Sequence, residues 1–163
     1  MLCRSGRDIP ADRTTPEAPE LLAFAREVAD SGGGPLVMEV SAHSLSLHRA
    51  HGLVFDTAVF TNLTRDHLDY YPNLAAYADA KARLFDGRNG PVPRRAVFNV
   101  DDPFGREFKA AFRGQAVGTG TSPDADFRIL AFDFDPPGLC ATVRWDGRDR
   151  ELAVPLTGRG NLH

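Results

Sequence analysis

Several features are scarce or missing in this chain, and each absence removes a class of protein. There are two cysteines, Cys3 and Cys140, with no CxxC pair and no framework of paired spacings. A disulfide scaffold or cysteine zinc site is therefore excluded, and a reduced, cytoplasmic protein is expected. No apolar run reaches the roughly 18–20 residues of a membrane span, so no membrane insertion is expected. The first ten residues are polar in character and do not form the apolar core of a signal peptide. The formal net charge is only −3, which argues against a polybasic nucleic-acid binder, and no nucleic-acid partner is expected. Also missing from the 163 residues is any glycine loop of the G-x-x-G-K-[ST] kind, the backbone cradle that holds nucleotide phosphates.

What is present reads as one α/β domain with a core of ordinary size, 42% of its residues being hydrophobic. Residues 1–13 form an irregular lead-in, and 14–163 the domain itself. Pro16 to Asp30 has helical periodicity, with Thr15 as its cap and Leu21, Leu22, Ala25, Val28 and Ala29 as its apolar stripe. Ser31-Gly32-Gly33-Gly34-Pro35 breaks the chain. Apolar runs at 36–40, 55–61 and 96–100 predict three strands, alternating with helices over 73–86, capped by Asn73, and 103–112. From about Ala116 the pattern shifts to short alternating strands at 126–134, 139–145 and 150–156, as in a small antiparallel lobe over about 116–156. The expected fold is α/β: a mostly parallel sheet with flanking helices plus that lobe.

The three predicted strands all end in polar groups: Glu39 and Ser41, then Thr61 and Asn62, then Asn99, Asp101 and Asp102. In open parallel sheets, ligands bind beyond the carboxyl ends of the strands, so these ends are expected to share a site. Glu39, between Met38 and Val40, would be costly to bury without a cation or donors.

Lys81 lies four residues after Tyr77 and three and four before Leu84 and Phe85, which sets it on the apolar face of its helix. Either its stem snorkels along the surface, or its amine is drawn inward, where desolvation favours the neutral nucleophile. A neutral lysine amine can take up carbon dioxide as a carbamate, an anionic partner for a metal. His67, between Asp66 and Asp69, has the imidazole-plus-carboxylate pattern of a metal ligand. His43, His48 and His51 fit no standard zinc spacing.

Met38-Glu39-Val40-Ser41-Ala42-His43-Ser44-Leu45, the segment from Ala58 through Leu68-Asp69-Tyr70, the Ala80-Lys81 helix and Asn99-Val100-Asp101-Asp102 follow one another in order. Together with Arg13-Thr14-Thr15-Pro16-Glu17 and Leu156-Thr157-Gly158-Arg159-Gly160-Asn161, they resemble the central domain of the Mur ligases over roughly residues 12–163. The likeness is strongest to the branch that adds a diamino acid, diaminopimelate or lysine, to UDP-N-acetylmuramoyl-L-alanyl-D-glutamate (UDP-MurNAc-dipeptide) in peptidoglycan biosynthesis.

The resemblance implies a P-loop-like central domain and an ATP-dependent amide ligase acting through an acyl phosphate, with ATP and Mg2+ required. It implies Glu39, His67 and carbamylated Lys81 as catalytic metal ligands. Thr14, Thr15, Ser41 and Arg49 match positions that hold the UDP-sugar-peptide, and Asn99 and Asn161 match the nucleotide side. Ala42 stands where a second serine is usual, Leu47 where glutamine often contacts substrate, Tyr71 where histidine is common and Gly160 where an aromatic residue is common.

The family's phosphate loop and first βα unit would precede Thr14, and its UDP-binding and C-terminal domains are not represented. The chain is therefore expected to be a fragment of a ligase, inactive alone. The alternatives are a non-catalytic remnant that binds a UDP-sugar-peptide or a protein partner, and a related ligase such as a folylpolyglutamate synthase.

Overall fold

A computed structural model describes residues 2–4, 7–9, 13–64, 70–135 and 138–155. The chain divides into two compact units, Met1–Val54 with Leu68–Pro91, and Phe55–His67 with Val92–His163.

In the first unit, β1 (Leu2–Arg4) and β2 (Arg7–Ile9) pair antiparallel, Leu2 opposite Ile9. Within the expected lead-in, the described residues 2–4 and 7–9 therefore form a short ladder. Strands of three residues are too short to show an alternating pattern in sequence. Helix α1 spans Ala18–Asp30. Its cap is Glu17, not Thr15: the Glu17 and Glu20 side chains reciprocally satisfy the first turn's amides, with Pro19 in that turn. The buried stripe runs through Leu21 and Phe24 and on to the half-buried Ala25 and Val28, while Leu22 and Ala29 face solvent. That is the i, i+3, i+4, i+7 spacing of a single helix face. Gly32, at a φ of +68°, turns the chain out of the helix.

Residues 33–41 form no strand, contrary to the prediction for 36–40. An apolar run becomes a strand only by pairing, and no strand among the described residues engages it; Val37 is 89% exposed. Helix α2 (Ala42–Ser46) follows, capped by Ser41, and packs against α3 (Leu74–Ala82), capped by Asn73 as expected. Buried Asn89 donates from its side chain to the Ala50 carbonyl at 2.9 Å, while its own carbonyl accepts from Gly52.

The second unit is built on one six-stranded sheet whose order follows the chain: β3 (Thr57–Phe60), β4 (Arg95–Asn99), β5 (Gln115–Gly120), β6 (Phe127–Asp135), β7 (Gly138–Trp145) and β8 (Arg148–Val154). The pairs from β3 to β6 are parallel and the last two antiparallel. The mostly parallel α/β class holds. Strand β5 was not anticipated, because Gln115-Ala116-Val117-Gly118-Thr119-Gly120 has few large apolar side chains.

Helix α4 (Pro103–Ala111) connects β4 to β5 and packs on both, the crossover that parallel strands require. Phe98, fully buried, meets Phe112, and Phe60 meets Phe108 edge-on. Gly105 sits where a Cβ would overlap the Asn99 carbonyl and reach the Phe60 ring. The β7–β8 hairpin turns on Asp146-Gly147, both at positive φ, a primed two-residue turn.

Candidate active site

In the first unit, a buried hydroxyl holds the segment after α1. Thr15 is 1% exposed; its Oγ1 donates to the Glu39 carbonyl at 3.0 Å and accepts from the Ser41 amide at 3.1 Å. Thr15 thus fixes the backbone on both sides of Val40. Thr14 beside it is exposed. The Glu39 side chain is exposed too, so the burial penalty anticipated from its apolar neighbours does not arise. Its backbone is anchored and its carboxylate is presented to solvent.

Ser41 caps α2 by accepting from the Ser44 amide at 3.1 Å, and Ser44 returns a bond to the Ser41 carbonyl at 2.6 Å. Arg49 lies beyond the helix with only 13% of its side chain exposed; its Nε is 3.0 Å from Glu17 Oε1. The approach is off the hydrogen-bonding direction and leaves that buried N–H unsatisfied. Arg13 pairs with the same Glu17 carboxylate. Glu17 therefore draws two of the family-matched segments together, a role that sequence reading did not assign to it.

Lys81 is half-buried on α3, on the face that also buries Tyr77 and Ala78. Its Nζ stands 5.2 Å from the centre of the Tyr77 ring. Tyr77 stacks on Tyr71 at 5.1 Å, and the Tyr71 hydroxyl shares a 2.8 Å hydrogen bond with Ser46 Oγ. His43 packs on Tyr70 at 4.1 Å, and Tyr70 meets Tyr71 edge-on. Burial pushes the Tyr71 phenol above its usual pKa of 10.0, against the opposing hydrogen bond from Ser46. His43 is thus packed in an aromatic cluster, and His48 and His51 stack edge-on at 5.4 Å. Among the described residues, no three His, Cys, Asp or Glu side chains gather as a metal cluster.

In the second unit, Asn99 is buried at the end of β4. Its Nδ2 donates to the Thr61 carbonyl at 2.8 Å and its Oδ1 accepts from the Asp101 amide at 2.9 Å. Asp102 caps α4 through Phe104 and also accepts from the Leu63 amide at 2.7 Å. Asp101 accepts from the Thr121 and Ser122 amides. The polar ends of β3 and β4 are thereby tied into one hydrogen-bonded edge, whereas Glu39 and Ser41 end no strand and belong to the first unit. His67 and Asn161 lie outside the described residues.

The family model for the Mur ligase middle domain matches residues 2–163. The chain belongs to the Mur ligase family. It is 40% identical over 159 residues to the UDP-N-acetylmuramoyl-L-alanyl-D-glutamate–2,6-diaminopimelate ligase of Solibacter usitatus, covering 98% of this chain and 32% of that one. It is 42% identical over 170 residues to the ligase of the same name from Chlorobaculum tepidum, covering 99% of this chain and 33% of the relative.

A solved structure of a Mur ligase with that name superposes at a TM-score of 0.78 with 30% identity, over 89% of this chain and 30% of the other. The ligase from Acinetobacter baumannii that joins D-alanyl-D-alanine superposes at 0.52 with 16% identity, over 66% of this chain and 23% of its own. That likeness concerns the fold alone. The chain spans about a third of the length of the curated Mur ligases it matches.

Proposed function

We propose that this chain is the central part of an ATP-dependent ligase that joins diaminopimelate to UDP-N-acetylmuramoyl-L-alanyl-D-glutamate in peptidoglycan biosynthesis. The names of the relatives favour diaminopimelate over lysine as the added diamino acid. The observation that carries the reading onto these residues is the Thr15 bridge. It holds the Glu39–Ser41 backbone at both ends while the Glu39 carboxylate stays exposed. An anchored backbone with an outward acid is what a ligand-binding segment needs.

In this reading ATP phosphorylates the D-glutamyl carboxylate, and the diaminopimelate amine displaces phosphate from the acyl phosphate to form the amide. Arg49, with its unsatisfied Nε–H and planar fork, binds an anionic group of the UDP-sugar-peptide. Thr14 offers an exposed hydroxyl to the same substrate. Thr15 and Ser41 act through the backbone they hold. Asn99 orders the nucleotide edge through Thr61 and Asp101, and Asn161 is assigned to the nucleotide by sequence alone.

The oxygen donors of Glu39 and of a Lys81 carbamate suit a hard cation such as Mg2+, and His67 is the third ligand we assign. Magnesium, when bound, neutralises phosphate charge. No helix among the described residues is long and apolar enough to cross a membrane, which is compatible with the cytoplasmic location we assign.

The test is amide formation. The protein that carries these residues, supplied with ATP, Mg2+, the UDP-linked dipeptide and either diaminopimelate or lysine, should release ADP and yield the UDP-linked tripeptide with diaminopimelate. Lys81→Ala and Glu39→Ala should abolish this. Product from neither amino acid would refute the reading.

A further inference from the structure

The sequence holds two lysines, Lys81 and Lys109. Lys109 is engaged on α4 by Asp126 at 2.6 Å. The Lys81 amine stands over the ring of Tyr77, four residues earlier on α3, at 5.2 Å from the centroid. Tyr77 does not hold this position alone. It is buried, stacked at 5.1 Å and 25° on Tyr71, which is equally buried and pinned to α2 by the 2.8 Å Ser46 bond.

The chain of contacts therefore runs Ser46, Tyr71, Tyr77, Lys81, from one helix to the other, each group packing on the next. A long lysine side chain loses rotamer entropy when ordered, so a rigid partner favours one orientation. An aromatic face is such a partner for the ammonium form of the side chain, which precedes any carbamate.

We infer that Tyr77 is a positioning residue, held by Tyr71 and Ser46, that sets where the Lys81 side chain directs its amine. This rests on the reading of Lys81 as the site lysine. Tyr77 itself touches no reacting group in this assignment; it acts through Lys81.

The presence of only two lysines makes the inference measurable. Lysine labelled with 13C at the ε carbon gives two Hε–Cε signals, and Lys109→Arg identifies which belongs to Lys81. With its amine over a tyrosine face, Lys81 should resonate upfield of its position in the urea-unfolded chain. Tyr77→Phe should preserve that shift and Tyr77→Leu should remove it. A Lys81 signal already at its unfolded position in the unsubstituted protein overturns the inference without any variant, so a Tyr77→Leu chain that fails to fold does not rescue it.

In the ligase assay of the protein carrying these residues, Tyr77→Leu should lower kcat at least tenfold with little change in KM for the UDP-linked dipeptide, and Tyr77→Phe should restore it. A folded Tyr77→Leu protein with full kcat overturns the positioning role. If the unsubstituted protein forms no amide at all, the ligase reading fails, while the resonance still decides whether Tyr77 places Lys81.

Discussion

Thr15 and Glu39 are joined by a hydrogen bond from a hydroxyl that is 1% exposed to a main-chain carbonyl 3.0 Å away. Because the same oxygen accepts from the Ser41 amide, one side chain serves two backbone groups that no strand among the described residues serves. Thr15→Val keeps the shape and loses both bonds, and should lower unfolding free energy by about 1–2 kcal/mol in urea titrations. Thr15→Ser should recover most of that. Equal stability of the valine and threonine proteins would mean that the bridge contributes nothing.

Asn99 plays the comparable part in the second unit. Asn99→Ala removes the donor to Thr61 and the acceptor for Asp101. Two part-buried hydrogen bonds to the backbone are lost with it, at a cost of about 1–2 kcal/mol. Hydrogen exchange at Asp101 should accelerate along with this loss. Unchanged protection at Asp101 would show that the side chain does not hold that amide.

Gly105 is expected to be the least tolerant glycine of α4's packing surface, since any Cβ there runs into the Asn99 carbonyl. Gly105→Ala should cost about 3 kcal/mol by pushing the helix off the sheet. Gly34→Ala, where a Cβ meets nothing within 4 Å, should stay within about 0.5 kcal/mol. Thermal unfolding of the two variants side by side gives the comparison.

Tyr71 makes stability depend on alkaline pH. Burial raises its folded-state pKa above the usual 10.0, so folding favours the protonated phenol. The stability this contributes is complete below the unfolded-state pKa and is lost as pH rises through the raised folded value. Tyr71→Phe should therefore show a flatter decline of unfolding free energy above about pH 10 than the unsubstituted protein. Parallel declines would place the alkaline sensitivity elsewhere.

The elements most legible in the sequence were those whose signal is local. Asn73 capping α3, Pro103 opening α4 and the apolar runs of β3 and β4 are each set by neighbouring residues, through capping and periodicity. Where tertiary partners decide, local pattern misled. Leu36–Val40 has the composition of a strand but no ladder. Gln115–Gly120 has little strand character yet pairs on both sides, because β4 supplies its hydrogen bonds along its length. Thr15 looked like a helix cap, whereas Glu17 closes a reciprocal box with Glu20 and leaves the threonine to the segment after α1.

The site divides in the same way. By itself the sequence determined which chemical groups are available: Glu39, Ser41, Arg49, Lys81 and Asn99, in an order that marks a Mur ligase middle domain. Residue type and spacing are fixed along the chain, and they carry that information without folding. Only tertiary structure decided how those groups are used. Arg49 meets Glu17, Asn99 closes on Thr61 and Asp101, and Lys81 rests by the Tyr77 ring, which stacks on the Tyr71 that Ser46 holds. Glu17–Arg49 and Ser46–Tyr71 are contacts between residues far apart in sequence. No local propensity encodes them, because they exist only once packing has brought the segments together.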